Sequence, residues 1–79
     1  MKLARKARLR FDRHEGRYMI VYPERGLVLN ASGAEIAKKL DGSRTREQIA
    51  SELATEHGAD PEDVNAFIDE LAAKGLVEE

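Results

Sequence analysis

The sequence predicts an α+β fold in which a three-stranded antiparallel meander precedes three helices. Three observations predict it. Residues 6 to 30 alternate at period two or run apolar on both faces, which is strand spacing, and from residue 31 the period lengthens to about 3.6. Clusters of Gly, Pro, Asp and Asn fall between the periodic segments, where turn chemistry is needed.

From Lys6 to Asp12, Ala7, Leu9 and Phe11 fall on one side and Arg8, Arg10 and Asp12 on the other, the pattern of a half-buried strand. Arg13-His14-Glu15-Gly16 supplies a turn. Arg17 to Tyr22 is β-branched and aromatic on both faces, which suits a central strand. After the turn signal Pro23-Glu24-Arg25-Gly26, the run Leu27-Val28-Leu29-Asn30 is too short for a helix and reads as a brief third strand. Ala34, Ile36, Ala37 and Leu40 then mark a first helix that Asp41-Gly42 ends. Thr45 and Gln48 form a T-x-x-Q capping box at the start of a second helix, which stops near His57-Gly58. The third helix has Asp60 as N-cap, Pro61 at its first position, and Val64, Phe67, Ile68 and Leu71 at i, i+3, i+4 and i+7. Gly75 closes it, and Leu76 and Val77 are expected to fold back onto the core. A small meander beside three short helices suggests a winged helix-turn-helix-like domain spanning residues 1–79, with no linker or repeat.

Composition limits what such a domain can do. A chain of 79 residues buries only about 60% of the surface its unfolded form exposes. Without cysteine there is no disulfide or thiolate site, and two distant histidines do not make a zinc site, so no metal is expected. No apolar run approaches the ~20 residues needed to cross a bilayer, and the start MKLARKARLR lacks a signal-peptide core, so the expected setting is cytoplasmic and away from membranes. Charge is graded along the chain. Residues 1–30 hold eight basic and three acidic residues, and residues 57–79 hold one basic and seven acidic. The gradient suits either a charged partner or an unevenly charged, solvated surface.

Catalysis finds no support. Dinucleotide, phosphate-loop, H-E-x-x-H and nucleophile-elbow motifs are all absent. His14 sits in a predicted turn and His57 at a helix end, and Asp60, Glu62 and Asp63 are explained as helix-start residues. We therefore expect no catalytic residues and no cofactor. A winged helix invites nucleic-acid binding, and this is the alternative reading; but the third helix carries Asp60, Glu62, Asp63, Asp69 and Glu70 against Lys74 alone, which phosphates would repel. Strand addition fits better. The first strand is protected as an edge by Lys6, Arg8 and Arg10, whereas Gly26-Leu27-Val28-Leu29 has no charged side chain and can template an incoming peptide. From pattern alone, a covering helix of the same chain or a second subunit explains that edge equally well.

The stretches Arg8-Leu9-Arg10-Phe11-Asp12, Tyr22-Pro23-Glu24-Arg25, Leu27-Val28-Leu29-Asn30 and Leu40-Asp41-Gly42-Ser43-Arg44-Thr45, with Ile49 after them, resemble the pyrroloquinoline quinone biosynthesis protein D (PqqD) family over about Lys6 to Val77. The resemblance implies a non-catalytic peptide chaperone, a recognition element for ribosomally made, modified peptides. It would bind a PqqA-like precursor peptide and present it to a PqqE-like radical S-adenosylmethionine (SAM) enzyme. Carried onto this chain, it implies peptide-binding positions at Leu27, Val28, Leu29 and Asn30 on the edge, and at Val64, Phe67, Ile68 and Leu71 on the helix wall. The spacing of those last four requires most of them for the core. The long N-terminal lead-in of many members is not matched here, and no motif identifies the enzyme-docking face, for which the Arg-rich first strand and Glu24-Arg25 are the candidates. An open edge also pairs with its own copy, so a homodimer and a small dimerisation module remain alternatives.

Overall fold

The computed structural model describes residues 1–78; Glu79, the last residue of the predicted domain, lies outside them. The elements run β1 (Lys2–Leu3), β2 (Arg8–Asp12), β3 (Arg17–Tyr22), β4 (Arg25–Val28), α1 (Ala31–Lys38), α2 (Arg46–His57), α3 (Pro61–Ala73) and β5 (Val77–Glu78). The meander is antiparallel with order β2-β3-β4, and the apolar run Tyr18 to Tyr22 is its central strand, as its two-sided hydrophobicity requires. The chain is thus α+β, with three helices against antiparallel strands.

Leu9, Ile20 and Leu27 pair across the three strands, as do Phe11, Tyr18 and Leu29. These rows turn toward the helices, where Ile20 and Leu29 join one cluster of buried side chains with Ile49, Leu53, Val64, Ile68, Leu71 and Leu76. The predicted caps are present. Thr45 Oγ1 accepts from the Gln48 N–H while Gln48 Oε1 accepts from the Thr45 N–H, the Asp60 carboxylate accepts from the Glu62 N–H, and Pro61 opens α3. α3 ends in a Schellman motif. Gly75 is left-handed (φ 72°), its N–H donates to Ala72 O, and the Leu76 N–H donates to Leu71 O, so Leu76 turns back into the core with no exposed surface.

The structure departs from the sequence reading in several places, among them the third strand, which runs Arg25–Val28 and so takes in Arg25 and Gly26 of the predicted turn. The first strand begins at Arg8, because Ala7 closes a turn by donating to Ala4 O (2.9 Å), although Ala7 is buried as expected. Phe11 shares a face with Leu9 but lies at the far end of the sheet, where it stays 48% exposed with its ring edge-on to Tyr18 at 5.1 Å. A second, two-stranded sheet pairs β1 with β5, and the Ala4 N–H donates to Leu76 O at 2.7 Å, joining the two ends of the chain. Two-residue strands carry no period that a sequence pattern can register.

An ion-pair network fastens the helices. Lys39 reaches Glu52 and Glu56 of α2, Arg44 reaches Glu52 and Asp41, and Arg46 reaches Asp69 of α3. The Asp41 carboxylate also accepts from the backbone N–H and hydroxyl of Ser43, and these bonds, with Arg44 beside them, lower its pKa from 3.8 to about 2. A folded-state pKa below the ordinary value stabilises the fold above the carboxylate range, and that contribution is lost as pH falls from about 4 through about 2. Asp41→Asn is therefore expected to lose less of its Tm than the parent chain between about pH 5 and pH 2. Thermal melts of both proteins across that range check this, and parallel curves would show that Asp41 contributes nothing to the acid sensitivity.

Candidate functional site

The candidate site is the open edge of β4 together with the cleft into which its C-terminal end runs. The hydrogen bond from the Leu29 N–H to Tyr18 O (2.9 Å) sets the phase of the β3–β4 ladder. In an antiparallel pair, residues alternate between those that bond the neighbouring strand and those whose N–H and C=O point away. With Ile20 opposite Leu27 and Met19 opposite Val28, the inward-bonding residues are Leu29, Leu27 and Arg25, and the outward-pointing ones are Val28 and Gly26. β4 has a single neighbour in the sheet, so these two residues present their main-chain donors and acceptors at its outer edge.

The turn before β4 is built tightly. Pro23 fixes a negative φ at the first loop position and Glu24 follows at φ 65°, the combination of a type II turn, which usually places glycine where Glu24 stands. After β4, Asn30 leaves the strand and caps α1, its Oδ1 accepting from the Gly33 N–H at 2.7 Å. The sequence placed Asn30 in the strand, although Asn ahead of a period-3.6 segment is itself a capping signal. Gly33 has no Cβ, and one built there would stand 3.2 Å from Phe67 Cζ, so the Phe67 ring of α3 lies directly against the first turn of α1. Asn30, Gly33 and Phe67 thus line a common cleft of about 700 Å³, with Ile36, Leu53 and Val64 at its apolar floor and Glu35, His57, Asp60 and Asp63 on its rim.

The eight sequence-nominated positions separate by burial. Val28 is 50% exposed, Asn30 is exposed, and Leu27 and Phe67 are half-buried. Leu29, Val64, Ile68 and Leu71 lie in the core, none more than 3% exposed, and present almost no side-chain surface to a partner. Of the four nominated α3 positions, only Phe67 offers side-chain surface to a partner. The other three are the core-facing side of the helix, which their spacing required. Sequence reasoning missed Gly33 and the cleft rim, because a glycine inside a helix pattern signals a close approach without naming what approaches. Among the described residues no group of His, Cys, Asp or Glu is arranged to hold a metal ion, and no helix is long and apolar enough to cross a membrane.

An α+β chain with an unpaired strand edge leading into an apolar cleft has the geometry that strand addition uses. A family model described as coenzyme PQQ synthesis protein D (PqqD) matches residues 17–77, and the chain belongs to this family. It is 40% identical over 81 residues to a PqqA binding protein of Rhodopseudomonas palustris (strain BisB5), an alignment covering 98% of this chain and 79% of that one. A PqqA binding protein of Xanthomonas oryzae pv. oryzae (strain PXO99A) is 39% identical over 66 residues, covering 84% and 72%. The fold is similar to the solution NMR structure of the PqqD truncation of Methylobacterium extorquens PqqCD, with a TM-score of 0.72, 34% identity, and coverage of 99% of this chain and 87% of that one. That truncation is described as a functional, stand-alone recognition element for ribosomally synthesised and post-translationally modified peptides.

The contrast in burial along α3 is measurable. Ile68→Ala is expected to cost about 2–5 kcal/mol, enough to unfold much of so small a domain. Phe67→Ala, removing a half-buried ring, is expected to cost less than the ~3 kcal/mol at which a core phenylalanine begins. Urea titrations followed by circular dichroism distinguish the two, and a Phe67→Ala cost equal to that of Ile68→Ala would assign Phe67 to the core.

Proposed function

We propose that residues 1–79 form a single, non-catalytic peptide-recognition domain of winged helix-turn-helix-like architecture. It binds a PqqA-like precursor peptide through its leader, as a strand added to β4, and presents it to a PqqE-like radical SAM enzyme in pyrroloquinoline quinone biosynthesis. Its setting is cytoplasmic, and it acts without cofactor, membrane or nucleic acid. The observation that carries this reading is the outward-pointing backbone of Gly26 and Val28 in a member of the PqqD family. The PqqA binding names of the relatives and the recognition-element description of the similar structure support the choice of ligand.

The peptide contacts are assigned to the backbone of Gly26 and Val28, to the exposed side chain of Val28 and to the Phe67 face of the cleft. A disordered leader loses conformational entropy on binding and gains backbone hydrogen bonds plus a few apolar anchors, which favours modest affinity and ready hand-over.

Two proline substitutions test the site. Val28→Pro removes a donor that points away from β3, a placement that edge strands tolerate, so the variant should stay folded. Losing one backbone bond of about 1 kcal/mol, together with the steric effect of the ring, should weaken precursor-peptide binding at least about fivefold. Leu27→Pro removes a donor that faces β3 and should disrupt the meander itself. Proton–nitrogen NMR titration with the precursor peptide reads both, and unchanged affinity in folded Val28→Pro protein would move the site away from this edge.

A further inference from the structure

The helices cover the face of the meander that carries Ile20 and Leu29; the opposite face bears Arg8, Arg10, Met19, Val21, Gly26 and Val28, with Asp12 opposite Arg17 at its far end. Arg10, Met19 and Val28 form one cross-strand row, and Arg8, Val21 and Gly26 the next. Gly26 contributes no side chain, and a Cβ there would stand 2.6 Å from Met19 Cε, so the methionine lies across the place a side chain would fill. The centre of this face is therefore apolar, with Val28 half exposed, and its β2 side carries Arg8 and Arg10, with the one carboxylate of that side, Asp12, opposite Arg17. Lys38, Lys39, Arg44 and Arg46 all form ion pairs, whereas among the described residues neither Arg8 nor Arg10 has a carboxylate within 4.0 Å. Half-buried Met19 and half-exposed Val28 beside unpaired arginines give a mixed apolar and cationic composition that is enriched at protein interfaces.

We infer that this face is the docking surface for an acidic, partly apolar patch on the enzyme that modifies the peptide, and that the bound peptide completes it. The inference rests on the strand-addition reading above. A strand added to β4 continues the pleat, so the peptide residue opposite Val28, and every second residue from it, projects onto the same face as Val28, Met19 and Arg10. Free protein offers the enzyme a three-stranded surface; loaded protein offers a fourth strand of peptide side chains beside it. Enzyme docking on this face thus depends on peptide loading, and the two arginines draw the acidic partner in at low salt. A polyanionic nucleic acid would engage the arginines but gain nothing from Met19, Val21 and Val28, and the rest of a chain of net charge −2 opposes it.

The probe is the purified radical SAM enzyme of the proposed pathway, with binding measured on immobilised full-length protein with and without saturating precursor peptide. Wild-type protein should bind it more tightly when loaded. The double variant Arg8→Glu/Arg10→Glu should lose at least about tenfold in enzyme affinity and most of its salt dependence. Its affinity for the peptide should stay within about threefold, because β2 lies two strand spacings, about 10 Å, from β4. Met19→Gln should weaken enzyme binding without altering the salt slope, and Arg8→Gln/Arg10→Gln serves if charge reversal unfolds the chain. Wild-type enzyme affinity in a folded arginine variant overturns the docking face while leaving the peptide site standing. Failure of wild-type protein to bind the peptide at all overturns the strand-addition reading, and the docking inference with it. Arginine-dependent binding of a short DNA duplex at physiological salt, with no enzyme binding, would make this a nucleic-acid face and also overturn the inference.

Discussion

The pairing of Ile20 with Leu27 is the constraint on which the rest of the molecule depends. A strand's side chains alternate between faces, and its backbone groups alternate between edges at the same period, so a single register fixes both. Placing Leu27 beside Ile20 sends Leu27 and Leu29 toward the helices and Val28 to the other face. It also directs the N–H and C=O of Val28 and Gly26 outward. A slip of one residue would expose Leu29, bury Val28 and exchange the set of free backbone groups. Core and edge are therefore specified together, and the turn that holds the register does so with a non-glycine residue, Glu24, in left-handed conformation.

Much of this was legible in the sequence because the relevant signals are local. The capping box at Thr45, the Asp60-Pro61 helix start and the Gly75 stop are each written within four residues, and all three occur as read. The order of the strands followed from where charge and two-sided hydrophobicity fall. What escaped was non-local. Nothing near Lys2-Leu3 marks it as the partner of Val77-Glu78, and nothing near Gly33 announces Phe67. The i, i+3, i+4, i+7 pattern identified a buried stripe on α3 without ranking its members; only the packed structure separates half-buried Phe67 from fully enclosed Val64, Ile68 and Leu71.

The charge gradient acquires a spatial meaning in the fold. Cations at residues 38 to 46 pair with carboxylates of α1, α2, α3 and the loop before α2, and the Lys39–Glu52 and Arg46–Asp69 pairs tie the helices together beside their shared apolar core. Among the described residues Arg8 and Arg10 have no carboxylate partner, and they lie on the side of the sheet away from those helices. The basic start and acidic end of the sequence meet in the β1–β5 pairing, where Lys2 stands opposite Glu78, while the sheet's outer face keeps Arg8 and Arg10.

The short edge also limits what strand addition alone can achieve. Gly26 and Val28 each offer one donor and one acceptor, so a partner strand gains at most four hydrogen bonds from them. At about 0.5–1.5 kcal/mol net apiece, these fall near or below the roughly 4–15 kcal/mol that association costs. Two copies joined only at this edge would have nothing further to add. In the proposed reading, a peptide whose chain ran on past Asn30 would reach the cleft beside Phe67. Apolar surface of the peptide covered beside the half-buried Phe67 ring, at about 25 cal/mol per Å², would add to these bonds. In the proposed reading, a short edge joined to this cleft would favour a ligand that satisfies both: an extended segment followed by an apolar anchor.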